Sequence, residues 1–294
     1  MNSKLKDRFA TSILYVIAGI ICALLLGIIG YVLVLGVPQI SWNFLTAPSE
    51  SFSAGGGIGP QLFNSFYLLF LTLCISVPIS LGAAIYLSEY AKDNWITKSV
   101  RLMVEVLSSL PSIVVGLFGF LIFVIYFGWS FSILSGALAL TLFNLPILVR
   151  VMEESLKSVA STQREAGLAL GLTRWETVIY VLVPTVLPGI ITGIILSAGR
   201  VFGEAAALIY TAGQNAPALN FANFNIFSQE SPWNIMRPAE TLAVHIWKVN
   251  SEGVVPDATA ISNGTAAILI IAILLFNVLA RVIGKYVYRL MTSS

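Results

Sequence analysis

Six apolar runs, each close to the twenty or so residues that carry a helix across the hydrocarbon core of a bilayer, divide this chain. They cover residues 9–35, 62–87, 107–127, 131–149, roughly 181–209 and 266–283. Within hydrocarbon a backbone must satisfy its own hydrogen bonds, which a helix does, so the expected fold is all-α and polytopic with six transmembrane helices. Composition agrees. Charged residues make up only 10% of the 294 and hydrophobic residues 57%, with a mean hydropathy of +0.89, where a soluble chain carries roughly 25% charged residues. Most of the surface must therefore face lipid or partner helices. The net charge of +2 says little about acidic partners, and nothing points to nucleic acid.

Lys4, Lys6 and Arg8 precede the first run in the manner of a signal peptide, but the apolar region is too long and lacks a small-residue cleavage site. It reads as a retained anchor. Of the sixteen basic residues, only Arg237 and Lys248 fall on the other side of the membrane from the amino terminus, with Arg200 inside the fifth run. That asymmetry puts both termini in the cytoplasm of a cell-membrane protein. The expected organisation is an anchor and external loop over 1–60, a transmembrane core over 61–284 and a cytoplasmic tail over 285–294. Within the core, 150–176 is a cytoplasmic loop and 212–263 an external one.

The external segments are 36–61, 212–263 and a short turn near Gly128. The amphipathic stretch 238–249 reads either as a lid or receptor surface or as a merely solvated loop. Asn263-Gly264-Thr265 fits a glycosylation sequon, but Asn-Gly more simply ends a loop before the sixth run.

Several chemistries are excluded. The glycine-rich run Ala54-Gly55-Gly56-Gly57-Ile58-Gly59-Pro60 lacks the lysine of a phosphate loop and falls outside. His245 is the only histidine, so neither a histidine metal cluster nor a Ser-His-Asp arrangement has material to assemble from; a structural role is expected for it. Cys22 and Cys74 sit in apolar runs and read as small buried hydrophobes. No catalytic residue, cofactor or metal is expected, and transport or scaffolding within a membrane complex takes precedence over enzymatic activity.

Against this apolar background residues 165–184 stand out. From Arg150 to Glu176 the chain is charged and helix-forming around a patch of small residues, Ala166, Gly167, Ala169 and Gly171, with Leu168, Leu170 and Leu172 beside it. A short helix ringed by charge, with an apolar strip that solvent would not favour, suits a groove of a cytoplasmic partner.

Here the residues resemble a known family. Glu165-Ala166-Gly167, three residues, Gly171, nine residues, then Val181-Leu182-Val183-Pro184 is similar to the Glu-Ala-Ala loop of bacterial ABC-importer permeases. The spacing matches throughout, and Gly167, Val181 and Val183 are small or aliphatic departures. In that family the loop docks into the ATPase, which implies that Glu165, Ala166, Gly167, Gly171 and Pro184 couple nucleotide-driven closure to the spans. The segments 56–60, 110–119, 145–159 and 200–206 together resemble the phosphate-specific permease of the PstA type. That resemblance implies a type I ABC-importer permease fold, a heterodimer with a PstC-type permease, two PstB-type ATPases and an external PstS-type phosphate-binding protein.

Arg200 and Glu204 are the only charges deep in an apolar run, and four residues of spacing put them on one helix face, where they can pair. If the helix starts near Thr185, Arg200 lies roughly 22 Å along it, in the outer half of the bilayer; an earlier start takes it closer to the outer surface. One reading makes Arg200 a multi-donor contact for phosphate. Glu204 then orients it, accepts a proton-bearing phosphate oxygen and repels sulfate. The other reading is a structural ion pair. Ser108, Ser109 and Ser112 flank Pro111, where free N–H groups face an anion or simply begin a helix. Asn144 is interhelical glue or a lining of the path, and Pro78, Pro146, Pro184 and Pro188 are hinge candidates. The expected function is import of inorganic phosphate by alternating access, with sulfate or molybdate as other cargoes and a channel-forming subunit without an ATPase as the alternative class.

Overall fold

A computed structural model describes residues 3–50, 53–252 and 256–292, without the side chains of 3–6 and 291–292. The side chains of Lys4 and Lys6, counted above among the inside cations, and the last two residues of the 285–294 tail lie outside that description. Among the described residues there is no strand. Besides short helical turns over Val37–Gln39 and Trp42–Thr46, the helices are α1 (Ser3–Gly36), α2 (Gly59–Ile85), α3 (Trp95–Ser108), α4 (Ser112–Gly119), α5 (Ile133–Lys157), α6 (Ser161–Ala169), α7 (Arg174–Gly203), α8 (Ala206–Thr211), α9 (Leu242–Glu252) and α10 (Ala258–Thr292). Wider π-helical turns extend α2 over Tyr86–Tyr90 and α4 over Phe120–Tyr126, and a third, Val178–Leu182, interrupts α7.

Five of these helices are long and apolar enough to cross a membrane, and α3 with α4 makes a sixth that is bent by 101°. The third apolar run is thus not one straight helix over 107–127. Proline has no N–H and forces the residue before it out of the helical region, so the chain breaks at Pro111 and α4 starts at Ser112. α3 turns away at about a right angle, with Trp95, Leu102, Met103 and Val106 exposed and Arg101 directed at the bundle, as an amphipathic helix at a bundle end requires.

α5 is the central post. Within its most apolar stretch 67% of residues are buried, against 6% for α1 and 11% for α10, so the first and last helices lie at the periphery, their apolar side chains left for lipid or partners. Lipid tails are as apolar as leucine, so close packing of small residues has to hold such a bundle together. Ala137 and Ala139 of α5 are fully buried, and a Cβ on Gly116 of α4 would come within 2.7 Å of the Ala207 backbone. Three apolar cores result among the described residues, one of them formed by Phe44, Ile58, Leu242, Val249 and Ile261. Of the other two, one gathers Leu68, Leu140, Phe202 and Leu208, and the other Leu148, Met152, Leu156 and Leu182 nearer the charged island.

The glycine-rich run has a packing role. The Ile58 N–H donates to the Phe44 carbonyl (2.7 Å) and the Gly59 N–H to the Ala47 carbonyl (3.0 Å), and a Cβ at Gly59 would sit 2.6 Å from the Thr46 oxygen. Other sequence expectations need correction. Cys22 and Cys74 are unpaired but exposed on the outer surface of the bundle, not buried. α10 begins at Ala258, not near 266, so Asn263-Gly264-Thr265 lies inside a helix, with Thr265 buried and its hydroxyl donating to the Ile261 carbonyl. α10 also runs through most of the segment read as a tail.

Candidate functional site

The charged island folds into a helix held between two spans. α5 continues past Val149 to Lys157, and α6 follows after a short break. α6 ends at a left-handed glycine: Gly171 has φ +84°, its N–H donates to the Leu168 carbonyl (3.0 Å), and the Leu172 N–H donates to the Gly167 carbonyl (3.2 Å), the hydrogen bonding of a glycine helix stop. Thr173 then starts α7 through a capping box. Its hydroxyl accepts from the Glu176 N–H (3.3 Å), while Glu176 accepts from the Thr173 N–H (2.7 Å), which satisfies donors that a helix start leaves free. Gly167 lets α6 lie against α7, because a Cβ there would come within 2.8 Å of the Thr177 methyl.

What remains outward is a ridge. Glu165 and Ala166 are exposed, Leu168 is 47% exposed and Leu170 82%, whereas Leu172 is half-buried. Pro184 is half-buried and sits in the first turn after the π segment of α7.

Sequence reading missed how the ridge is held. The Arg164 guanidinium donates from Nη2 to Glu89 Oε1 (2.9 Å) and from Nε to Glu89 Oε2 (3.1 Å), at the end of the π turn that closes α2. It also donates to the Leu156 and Val159 carbonyls (2.7 and 2.6 Å) at the end of α5. One side chain of α6 therefore grips two spans, through a forked ion pair and through the carbonyls that the last turn of a helix leaves unpaired. Nearby, Glu153 of α5 accepts from Arg101 of α3 (2.9 Å) and from Lys157 (2.6 Å), while Arg101 donates to the Leu87 carbonyl (3.0 Å). α2, α3, α5 and α6 are thus joined at the island end by guanidinium and ammonium contacts.

At the far end the predicted Arg200–Glu204 pair does not form. α7 starts at Arg174, not Thr185, and stops at Gly203, so Arg200 lies about 39 Å along it, close to the far end of the bundle. Glu204 is extended (φ −79°, ψ 121°), off the helix face that the four-residue spacing assumed. Its carboxylate instead accepts from the Ala207 N–H (3.0 Å) and starts α8. The Arg200 guanidinium lies over the Phe143 ring, 3.5 Å from its centre, a cation–π contact, and makes no hydrogen bond or ion pair among the described residues. Asn144 is fully buried and donates to the Leu140 carbonyl of its own helix (2.9 Å), leaving Oδ1 without a partner. Ser112 is half-buried in the first turn of α4.

A second feature missed by sequence reading caps this end. Arg237 is fully buried and donates to Asn64 Oδ1 (2.8 Å) and to the carbonyls of Ser231, Pro232 and Pro238 (3.2–3.3 Å). Burial pushes its pKa down to about 10, so it stays charged at neutral pH. Asn64 in turn donates to the Glu240 carbonyl (3.0 Å), and the Glu240 carboxylate meets Gln61 (3.1 Å) and His245 Nδ1 (2.9 Å). The loop before α9, read as a lid or a solvated loop, is hydrogen-bonded to the first turns of α2. His245 is part of that bracing, as its lone occurrence suggested.

The chain is thus a polytopic helical bundle with a braced helix at one end and a hydrogen-bonded cap at the other. The chain belongs to the family described as the binding-protein-dependent transport system inner membrane component, whose signature matches residues 76–293. A probable ABC transporter permease of Bacillus subtilis, YqgI, is 53% identical over the whole of both chains. The phosphate transport system permease PstA of Yersinia pestis is 34% identical over 254 residues, which are 84% of this chain and 78% of that one. PstA of Xylella fastidiosa is 38% identical over 180 residues, 61% of this chain and 63% of its own. In three dimensions the chain resembles a bacterial ABC transporter that imports the polysaccharide alginate (TM-score 0.61, 15% identity, 97% of this chain and 99% of that one). It also resembles the inward-facing methionine transporter MetNI (TM-score 0.55, 18% identity, 80% and 94%). The fold is that of a type I ABC-importer permease, and the class of channel-forming subunits outside this family is set aside.

Proposed function

We propose that the chain is the PstA-type half of a phosphate importer, oriented with both termini and α6 in the cytoplasm, and that it works with a homologous permease, two ATPase subunits and an external phosphate-binding protein. The observation that carries the coupling part is the α6 ridge: Glu165, Ala166, Leu168 and Leu170 face out while Arg164 bolts the helix to α2 and α5. A groove in the ATPase that takes this ridge, with Gly167, Gly171 and Pro184 shaping its approach, can pull two spans at once. The phosphate part is supported by the PstA-named relatives and by Arg200, whose guanidinium has an aromatic face behind it and donors left for an anion. Phe143 holds the cation without neutralising it. In this reading Glu204 fixes the α7–α8 corner with one carboxylate oxygen and offers the other to a proton of hydrogen phosphate, a group sulfate lacks. Ser112 and Asn144 are proposed as polar linings of the same path. Uptake of labelled phosphate by whole cells tests this: Arg200→Ala should lower uptake by about tenfold or more while the complex assembles, and Arg200→Lys should recover only part, since it lacks the planar fork. Normal uptake by an assembled Arg200→Ala complex removes Arg200 from the path, and strong competition by sulfate removes phosphate as the preferred cargo.

A further inference from the structure

On the island half of the bundle, where Gly284 of α10 touches Ile191 of α7, a groove of about 360 Å³ opens between the two helices. Its α7 wall is mostly apolar, formed by Pro188, Ile195 and Leu196, and its α10 wall carries Arg281, Lys285 and Tyr288. Arg281 and Lys285 stand one turn apart on one helix face. No Asp or Glu occurs anywhere in α10, and neither cation has a hydrogen-bond or ion-pair partner among the described residues. Their depth is also defined. The uncharged stretch of α10 ends at Ala280, and the sixth apolar run at 283, so Arg281 and Lys285 flank the end of that run, where a bilayer's headgroups begin. The helices run antiparallel, which puts Ile195 and Leu196 deeper in the membrane than Pro188.

Two unpaired cations at headgroup level, above a groove lined with hydrocarbon, complement a ligand with an anionic head and an apolar tail. We propose that this groove binds an anionic phospholipid of the adjoining leaflet. The guanidinium of Arg281 and the ammonium of Lys285 receive the phosphodiester, and one acyl chain follows Ile195 and Leu196 inward. The bound lipid fills the gap between α7, which carries Arg200, and the peripheral α10. This inference goes beyond the transport reading and does not depend on the cargo.

Native mass spectrometry of the full chain, alone and in the complex purified with its partners, tests it with added dioleoyl phosphatidylglycerol or dioleoyl phosphatidylcholine. The predicted result is retention of phosphatidylglycerol over phosphatidylcholine by about tenfold or more, since each surface cation contributes a several-fold preference. That preference should be lost in the R281Q/K285Q variant and kept in K92Q/K98Q. Leu196→Trp, which narrows the apolar wall and leaves both cations, should also lower retention, so the outcome does not hinge on the charge variant folding. Equal retention of the two lipids, a preference that survives R281Q/K285Q, or retention unchanged by Leu196→Trp overturns the proposal. So does lipid held by the isolated chain but absent from the complex, which would put the second permease in the groove.

Discussion

Each end of the bundle is fastened by an arginine, and the two are fastened in different ways. Arg237 at the far end is fully buried and satisfied by neutral acceptors, three backbone carbonyls and Asn64. Arg164 at the island end keeps 26% of its side chain exposed and shares a forked ion pair with Glu89, itself 14% exposed. A buried charge that loses its partners is costly, so the far cap behaves as a fixed brace. An ion pair that water still reaches gives up less when it re-forms elsewhere than a fully buried charge does. In the proposed orientation the exchangeable contact is on the side that would meet the ATPase, and the permanent one on the side that would receive cargo.

Substitutions can break this contrast. Arg237→Ala removes the donor to Asn64 Oδ1 and to three carbonyls and opens a cavity, so it should cost about 3–5 kcal/mol and lower Tm in detergent by about 10 °C; an unchanged Tm would mean the far cap is not a brace. Arg164→Ala should cost only about 1–2 kcal/mol in the same melting experiment, and a loss as large as that of Arg237→Ala would erase the difference between the ends. Gly167→Ala forces a Cβ against Thr177 and should cost about 1 kcal/mol or slightly more. Adding Thr177→Ala should return part of that loss, and strict additivity in the double-mutant cycle would contradict the packing account. Gly171→Ala has the smallest expected effect, about 1 kcal/mol from the left-handed backbone at that position; a stabilised variant would mean the turn there is not the one described.

The spans were legible because hydropathy marks them. Their ends were less so, for identifiable reasons. The start of α7 is announced by Thr173 and Glu176 in capping-box spacing, yet hydropathy begins the apolar run only near 181 and Pro184 suggests a helix start near Thr185, so the first turns of α7 were not joined to it. Pro111 announces the break between α3 and α4, but an apolar run on either side hid the bend. The expected Arg200–Glu204 pair failed because a four-residue spacing means adjacency only within one helix, and α7 stops between them. Glu89 and Arg164 are 75 residues apart in sequence, and Arg237 and Asn64 173 apart. No spacing rule links such pairs, so the two fastenings, and with them the contrast between the ends, appear only once the helices are packed.

The central claim is that α6 passes force from an ATPase into α2 and α5 through Arg164 and Glu89. Reconstituting the assembled importer with Glu89→Ala in liposomes, and measuring phosphate uptake beside ATP hydrolysis in the same vesicles, tests it most directly. The account predicts that the ATPase stays bound and hydrolyses at close to its normal rate while uptake falls by about tenfold or more. Uptake and hydrolysis that fall in equal proportion, or that both stay normal, would contradict it.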